Sequence, residues 1–288
     1  MTGPGAAAID TLETEHFGTI AVRRRDCPLC GRNNDAAPPS RFSNPPWTVK
    51  DCPACGFVYI DGAPHYELQF EMMAWERTTK IEELRRAELR PISYQASKHT
   101  RFRMHILPKR NMLDYIAQRY EGGNVLDLGC GSGHAMDSFP PAFTPFGIEI
   151  SSELAKEADR VFQSRGGYAI NAPCVTGLER FPANFFAAAS LRSYLEHEAE
   201  PLPVLERLHR ALAPGGFAVV KVPNYGSLNR RAMGRRWCGF RYPDHLNYFT
   251  PATLAAMAAK AGFAIAFGAT GRLPTSDNMW AVLTKQVR

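Results

Sequence analysis

The sequence predicts an α/β fold: seven strands in a mostly parallel sheet with helices on both faces, preceded by a small cysteine-rich module and a helical connector. Three observations lead there. An apolar run, Val125-Leu126-Asp127-Leu128, passes into Gly129-Cys130-Gly131-Ser132-Gly133-His134, a Gly-x-Gly-x-Gly turn. A second apolar run, Phe146-Gly147-Ile148-Glu149-Ile150, closes on a carboxylate. Strand, glycine loop and second strand ending in an acid together describe a nucleoside-binding α/β unit, because glycines let backbone approach the ligand. Strand-like and helix-like segments then alternate toward the C-terminus, the pattern of a parallel sheet.

Taken in order, residues 1–19 are small and polar and are expected to be loose. Residues 20–62 hold the cysteines; Asn33 to Pro46, rich in Pro, Asn and Ser, reads as loop, and Val49 and Phe57 to Ile60 as short strands. The connector spans 63–120. In it Leu68, Met72, Trp75, Ile81, Leu84 and Leu89 recur at helical spacing until Pro91. A second helix is expected over 94–107, and a third from Pro108, a natural first helical residue, to Tyr120. The sheet domain spans 121–288, with strands over 125–128, 146–150, 168–171, 185–191, 217–222, 263–269 and 280–285. Helices are expected over 151–165, entered through Ser151-Ser152-Glu153, and over 201–212 and 251–261. Pro214-Gly215-Gly216 reads as a stop-and-turn before the fifth strand, and 223–250 as an insertion after it.

The 288 residues suffice for one α/β core and a smaller module. No apolar stretch reaches the roughly 20 residues of a membrane helix. Met1 to Thr19 lacks a basic segment followed by an apolar one, so no secretory leader is expected and the cytoplasm is the expected compartment. A net charge of +6 and a pI near 9.0 suit an anionic ligand without requiring one.

Of seven cysteines, four form Cys27-Pro28-Leu29-Cys30-Gly31 and Cys52-Pro53-Ala54-Cys55-Gly56. Each pair sets two thiolates on one tight turn, and two such turns complete a tetrahedral Zn²⁺ site. The glycine after each pair permits the turn's positive φ. Four sulfurs leave no open coordination position, so the zinc is expected to be structural; a redox pair or free thiols are the alternatives. Cys130, Cys174 and Cys238 are scattered and odd in number, which does not suit a disulfide scaffold.

The glycine loop with its second-strand carboxylate resembles class I S-adenosylmethionine-dependent methyltransferases, and the cysteine quartet resembles the zinc ribbon preceding many bacterial members of the small-molecule biosynthetic type. The sheet implied is the seven-stranded, Rossmann-like one of that family. The resemblance implies that Asp127 orients the methionine amine, that Gly129, Cys130, Gly131 and Gly133 approach the methionine and ribose, and that Glu149, beside Ile150, accepts the ribose hydroxyls. It places adenine against Thr176-Gly177-Leu178-Glu179, chiefly Gly177 and Leu178, and adds Leu191 at the end of the fourth strand. A Rossmann oxidoreductase is disfavoured, since the spacing is not Gly-x-Gly-x-x-Gly. Phe185-Phe186 stands where the family carries Phe-Asp. Tyr194-Leu195-Glu196-His197, then Pro214-Gly215-Gly216, resemble the Leu-Glu-His segment and Lys-Pro-Gly-Gly turn of ubiquinone-type methyltransferases. Some of those bind a metal through Glu, Glu and His; Ser193 stands at the first of these positions, so no metal is expected there.

His197 falls just past the fourth strand, at the sheet edge where such folds bind ligands; it could act as a base or only pack beneath the substrate. The insertion holds Pro223-Asn224-Tyr225, Arg230-Arg231, Arg235-Arg236-Trp237 and Tyr242-Pro243-Asp244-His245-Leu246-Asn247-Tyr248-Phe249. This pattern resembles methyltransferases of polysaccharide and natural-product biosynthesis. His245 is the preferred base, because the insertion is expected to face the acceptor, unless it only anchors the lid. Tyr225, Trp237 and Tyr248 would wall the pocket, with Tyr225 as a further catalytic candidate. The four arginines either hold a phosphate or carboxylate or form a solvated face. The function expected is methyl transfer from S-adenosylmethionine to a small-molecule acceptor, anionic if those arginines bind it, with neither a membrane nor a nucleic acid as partner. An RNA methyltransferase with a zinc ribbon is the alternative enzyme; the gap between cysteine pairs and the lack of an Asn-Pro-Pro-Tyr motif count against it. A non-catalytic binding protein is disfavoured by the intact loop and Glu149.

Overall fold

A computed structural model describes residues 22–64, 112–137, 139–268 and 274–286. The expected loose segment 1–19 and the helices over 66–90 and 94–107 lie outside the described residues. The chain divides into two compact units, Met1–Val22 with Pro64–Asn111, and Arg23–Ala63 with Met112–Arg288. The second unit carries both the cysteine quartet and the large sheet.

The described elements, in order, are strands β1 (Val22–Arg24), β2 (Val49–Asp51), β3 (Val58–Ile60) and β4 (Gly62–Pro64), helix α1 (Met112–Ala117), β5 (Gly123–Leu128), β6 (Phe143–Glu149), α2 (Ser152–Gln163) and β7 (Tyr168–Asn171). Then come α3 (Cys174–Gly177), β8 (Phe186–Arg192), α4 (Pro201–Ala211), β9 (Leu212–Pro223), α5 (Leu228–Met233), β10 (Asn247–Tyr248), α6 (Pro251–Lys260), β11 (Phe263–Phe267) and β12 (Asn278–Lys285). The seven-stranded sheet runs β11-β12-β9-β8-β5-β6-β7. Only β12 runs against the others, pairing antiparallel with β9 and β11. Val125, Leu126 and Leu128 are fully buried, as a parallel strand covered on both faces requires. The side chains of Ser151 and Thr250 cap α2 and α6, each accepting an N–H from the first helical turn.

The parallel run gathers the C-terminal ends of β5, β6, β8 and β9 at one edge. Asp127 is in register with Ser190 of β8 and Gly147 of β6, and Arg192 with Lys221 of β9. Alternation along each strand therefore puts Asp127, Glu149, Ser190, Arg192 and Lys221 on one face.

The fifth sheet strand is longer than the sequence suggests. β9 begins at Leu212 and runs through Pro214-Gly215-Gly216 rather than after it. Its register with β8 slips between Phe186 and Ala188, and Gly215, at φ 74°, absorbs the extra residues as a bulge.

The cysteine module is not a bead beside the sheet domain. β10, from the expected insertion, pairs antiparallel with β3, giving a small sheet ordered β10-β3-β2, with Asn247 opposite Tyr59 and Tyr248 opposite Val58.

Gly147 shows how tightly the glycine loop is held. A Cβ there would lie 2.5 Å from the Cys130 sulfur and 2.7 Å from the Phe162 ring. Gly147→Ala should destabilise the protein by about 1–3 kcal/mol in chemical denaturation, through overpacking. Adding Cys130→Ala should recover part of that loss; full stability in the single variant would contradict the packing described.

Candidate active site

The four quartet sulfurs lie within 4.8 Å of one another, Cys27 3.5 Å from Cys55 and Cys30 3.6 Å from Cys52. Tetrahedral zinc with bonds of about 2.3 Å separates its sulfurs by roughly 3.8 Å, so the donor set fits the ion. The two turns are built alike. Gly31 and Gly56, at φ 76° and 71°, donate their N–H to the carbonyls of Cys27 and Cys52. Cys27 and Cys52 donate theirs to the carbonyls of Arg32 and Phe57.

At the sheet edge Glu149 is buried, and its two carboxylate oxygens accept the N–H of Gly131 and of Ser151, both at 2.9 Å. The carboxylate thus ties the glycine loop to the start of α2. Gly129, Gly131 and Gly133 all have positive φ. An added Cβ at Gly131 would meet nothing within 4 Å, which leaves an open backbone surface for a ligand. At Gly129 it would meet the Tyr194 ring at 2.9 Å, so Tyr194 covers that end of the loop. Burial pushes the Asp127 carboxyl up to about 7, against the pull of Arg192 and Ser190. Cys130 is buried, and Ile150 is half-buried beyond Glu149. Gly177 ends α3 and packs against Ile148, with Leu178 buried beside it. Leu191 is buried in β8 on the face opposite Ser190 and Arg192. Cofactor binding by these residues fits the open loop and the carboxylate beside it.

The two candidate histidines meet, their ring centroids 4.7 Å apart, but their surroundings differ. His245 is 5% exposed and its Nδ1 is taken by the Gly239 carbonyl at 2.8 Å. Burial, with the neighbouring His197, holds its pKa well below the ordinary value. The His197 side chain is 26% exposed, and its Nδ1 lies 3.0 Å from Asp244 Oδ1. Burial alone would lower its pKa, but the Asp244 charge and hydrogen bond outweigh that and raise it. His197, and Arg241 at 2.7 Å from the other Asp244 oxygen, hold Asp244 ionised despite burial. Glu196 sits behind: its Oε1 is 4.0 Å from His197 Nε2, and its buried Oε2 has no hydrogen-bond partner among the described residues. Burial pushes this carboxyl up to about 7. Glu196, His197 and His245 bring one potential metal-ligand atom each within 4.8 Å of one another.

Tyr225 is buried in an aromatic cluster, edge-on to Phe42, Trp237 and Phe240, and burial pushes its phenol up to about 12. Two of the four arginines of the insertion have internal partners. Arg230 stacks 4.2 Å above the Tyr225 ring and donates to the Tyr225 carbonyl, while Arg235 donates to the carbonyl of Arg41.

Arg25 of the cysteine module has no motif around it, yet it joins the segments that carry both histidines. Its guanidinium donates to the carbonyls of Ile60, Ala199 and Leu246 at 2.8, 2.8 and 2.7 Å, and to Asn247 Oδ1 at 3.1 Å. Asn247 in turn donates to the carbonyls of Leu195 and Glu198. The Glu196 carbonyl accepts the N–H of Leu246 and Asn247. Sequence reasoning missed Arg25 because its partners lie far away in the chain. Asp244 did carry a signal, its place beside His245.

Residues 99–266 match the family described as Methyltransferase domain. A Paraburkholderia phymatum protein named ubiquinone biosynthesis O-methyltransferase is 28% identical over 156 residues, 49% of this chain and 64% of that protein. A 37.1 kDa protein of a Streptomyces fradiae transposon is 31% identical over 124 residues, 42% of this chain and 35% of that protein. The chain thus spans less than two thirds of either relative. A solved structure of a SAM-dependent methyltransferase from Archaeoglobus fulgidus aligns with 16% identity and a TM-score of 0.47 over 60% of this chain and 90% of that one. No helix among the described residues is long and apolar enough to cross a membrane.

Elemental analysis of protein purified without chelator should find one zinc per chain, and Cys30→Ser should lose it. Metal-free wild-type protein with intact thiols would contradict the zinc assignment.

Proposed function

Since the chain belongs to the methyltransferase-domain family, we propose that it transfers a methyl group from S-adenosylmethionine to a small-molecule acceptor, in the biosynthesis of a natural product or polysaccharide. The observation that carries this reading is the open backbone at Gly131 clamped by buried Glu149, with the His197–Asp244 pair held at the same edge. When bound, S-adenosylmethionine supplies a methyl group already activated on a sulfonium.

The chain's own residues bind, align and take a proton. Glu149 accepts the ribose hydroxyls in this reading, its carboxylate placed beside the loop by the N–H groups of Gly131 and Ser151. Asp127 accepts the methionine amine; that charge favours its ionised form, so cofactor binding below about pH 7 releases a proton. Tyr194 covers Gly129 and Leu178 lines the adenine side, keeping water out. Alignment of this kind supplies several kcal/mol of barrier reduction.

His197 is the base in this reading, in preference to His245. Asp244 fixes Nδ1, so the proton of the acceptor goes to Nε2. His245, buried and without Asp244's hydrogen bond, supports the His197 ring edge-on. Tyr225, shut in its aromatic cluster with a raised pKa, braces the insertion. The zinc ion stabilises the module that carries Arg25, at a distance from the chemistry.

Because Asp244 raises the His197 pKa, the base form should grow, and turnover with it, as pH rises through a value above an ordinary histidine's. His197→Ala should lower turnover by about 10²–10⁴-fold with cofactor affinity retained. Asp244→Asn should shift the acidic limb of the pH profile to lower pH, which a purely structural role would not do. Glu149→Ala should do the reverse of His197→Ala, losing cofactor affinity in calorimetry. Full turnover in His197→Ala with chemistry rate-limiting, or unchanged affinity in Glu149→Ala, would overturn the respective assignments.

A further inference from the structure

Among the described residues, two cations stand at one edge of the sheet with no contact partner of opposite charge. Arg192 is the last residue of β8 and Lys221 its register partner on parallel β9, so their side chains leave the sheet on the same face. Arg192 is exposed and Lys221 half-buried. Among the described residues neither makes an ion pair or a hydrogen bond through its side chain. Burial and the charge of Arg192 both disfavour the protonated Lys221, and Glu196, the carboxylate whose field opposes them, forms no contact ion pair with it. Two adjacent like charges, one partly desolvated, are a costly arrangement in the empty protein. An anionic ligand group seated between them relieves that cost.

The position bears on whose anion it is. From β5 with its glycine loop, the strand order steps to β8 and then to β9, so Arg192 stands next to β5, within reach of the Asp127 charge, and Lys221 one strand further from the glycine loop. Lys221 also accepts the N–H of Ser193 through its carbonyl, which anchors the loop carrying His197. Of the four insertion arginines that the sequence offered for this task, Arg230 is engaged on Tyr225 and Arg235 on Arg41.

We propose that Arg192 and Lys221 form a carboxylate-binding pair that holds an anionic group of the acceptor, so that the substrate class is a small carboxylic acid. This inference deepens the methyl-transfer reading and depends on it. The same chemistry could serve the methionine carboxylate of the cofactor, and the experiment separates the two sources.

The probes are S-adenosylhomocysteine, followed by calorimetry, then sodium benzoate and its neutral analogue benzamide, followed by ligand-observed NMR on the zinc-loaded full chain saturated with S-adenosylhomocysteine. Benzoate should bind better than benzamide. Lys221→Met and Arg192→Met should each weaken benzoate by at least about tenfold and leave S-adenosylhomocysteine within about twofold. Lys221→Arg, which keeps the charge, should retain benzoate binding and guards against misfolding as the cause. Equal binding of benzoate and benzamide, or benzoate affinity unchanged in both Met variants, overturns the proposal. A tenfold loss of S-adenosylhomocysteine affinity with benzoate unaffected assigns the pair to the cofactor and overturns it too. Wild-type protein that gives no heat with S-adenosylhomocysteine overturns the methyl-transfer reading itself, a separate and recognisable failure.

Discussion

One guanidinium ties together the chain segments that carry both histidines. Arg25 leaves the cysteine module and places its donors on three chain segments at once: the end of β3, the loop after β8 and the insertion before β10. Each of these acceptors is a backbone or amide oxygen in a partly buried setting, and each would cost about 1–3 kcal/mol if left unpaired. The planar fork matters, because a lysine offers no fixed geometry to satisfy carbonyls from different directions. Arg25 also lies 5.5 Å above the Tyr59 ring, inside the small sheet that β10 completes. The cysteine quartet and the sheet edge that carries both histidines are therefore linked by a short path. The quartet fixes the turn at Cys27, the turn fixes Arg25, and Arg25 fixes the loops that carry His197 and His245.

The electrostatics of the edge depend on that scaffold. Asp244 reaches His197 only because residues 244–247 are stitched to 196–198 through the Glu196 carbonyl and the Asn247 amide. The two histidines then part company by a few ångströms of environment. One keeps solvent access and a carboxylate, and the other is enclosed against a backbone carbonyl. Among the described residues, Lys221 and Arg192 have no contact ion pairs on the face that carries Asp127 and Glu149.

Signals local in sequence were legible. The glycine loop, the carboxylate ending β6 and the paired cysteines each depend on a turn that a few residues define, and the seven strands were readable as apolar runs. The length of β9 was not, because a Pro-Gly-Gly turn and a bulge share the same residues. Nor was the reason for Phe185-Phe186 in place of the family's Phe-Asp. Phe186 is fully buried against Phe146 and Phe181, with ring centroids 5.6 and 4.9 Å away, so an aromatic cluster replaces a polar contact at that end of the sheet. The choice between His197 and His245, and the part played by Arg25, depend on contacts between residues distant in the chain, which no spacing encodes.

If Arg25 organises the catalytic loops from the cysteine module, its loss should loosen those loops and spare the sheet. Hydrogen exchange on zinc-loaded Arg25→Met, compared with the wild type, tests this most directly. Amides of residues 193–200 and 244–248 should exchange markedly faster while those of β5 and β6 keep their protection. Unchanged exchange in both loops, or an equal loss of protection throughout the sheet, would contradict that role for Arg25.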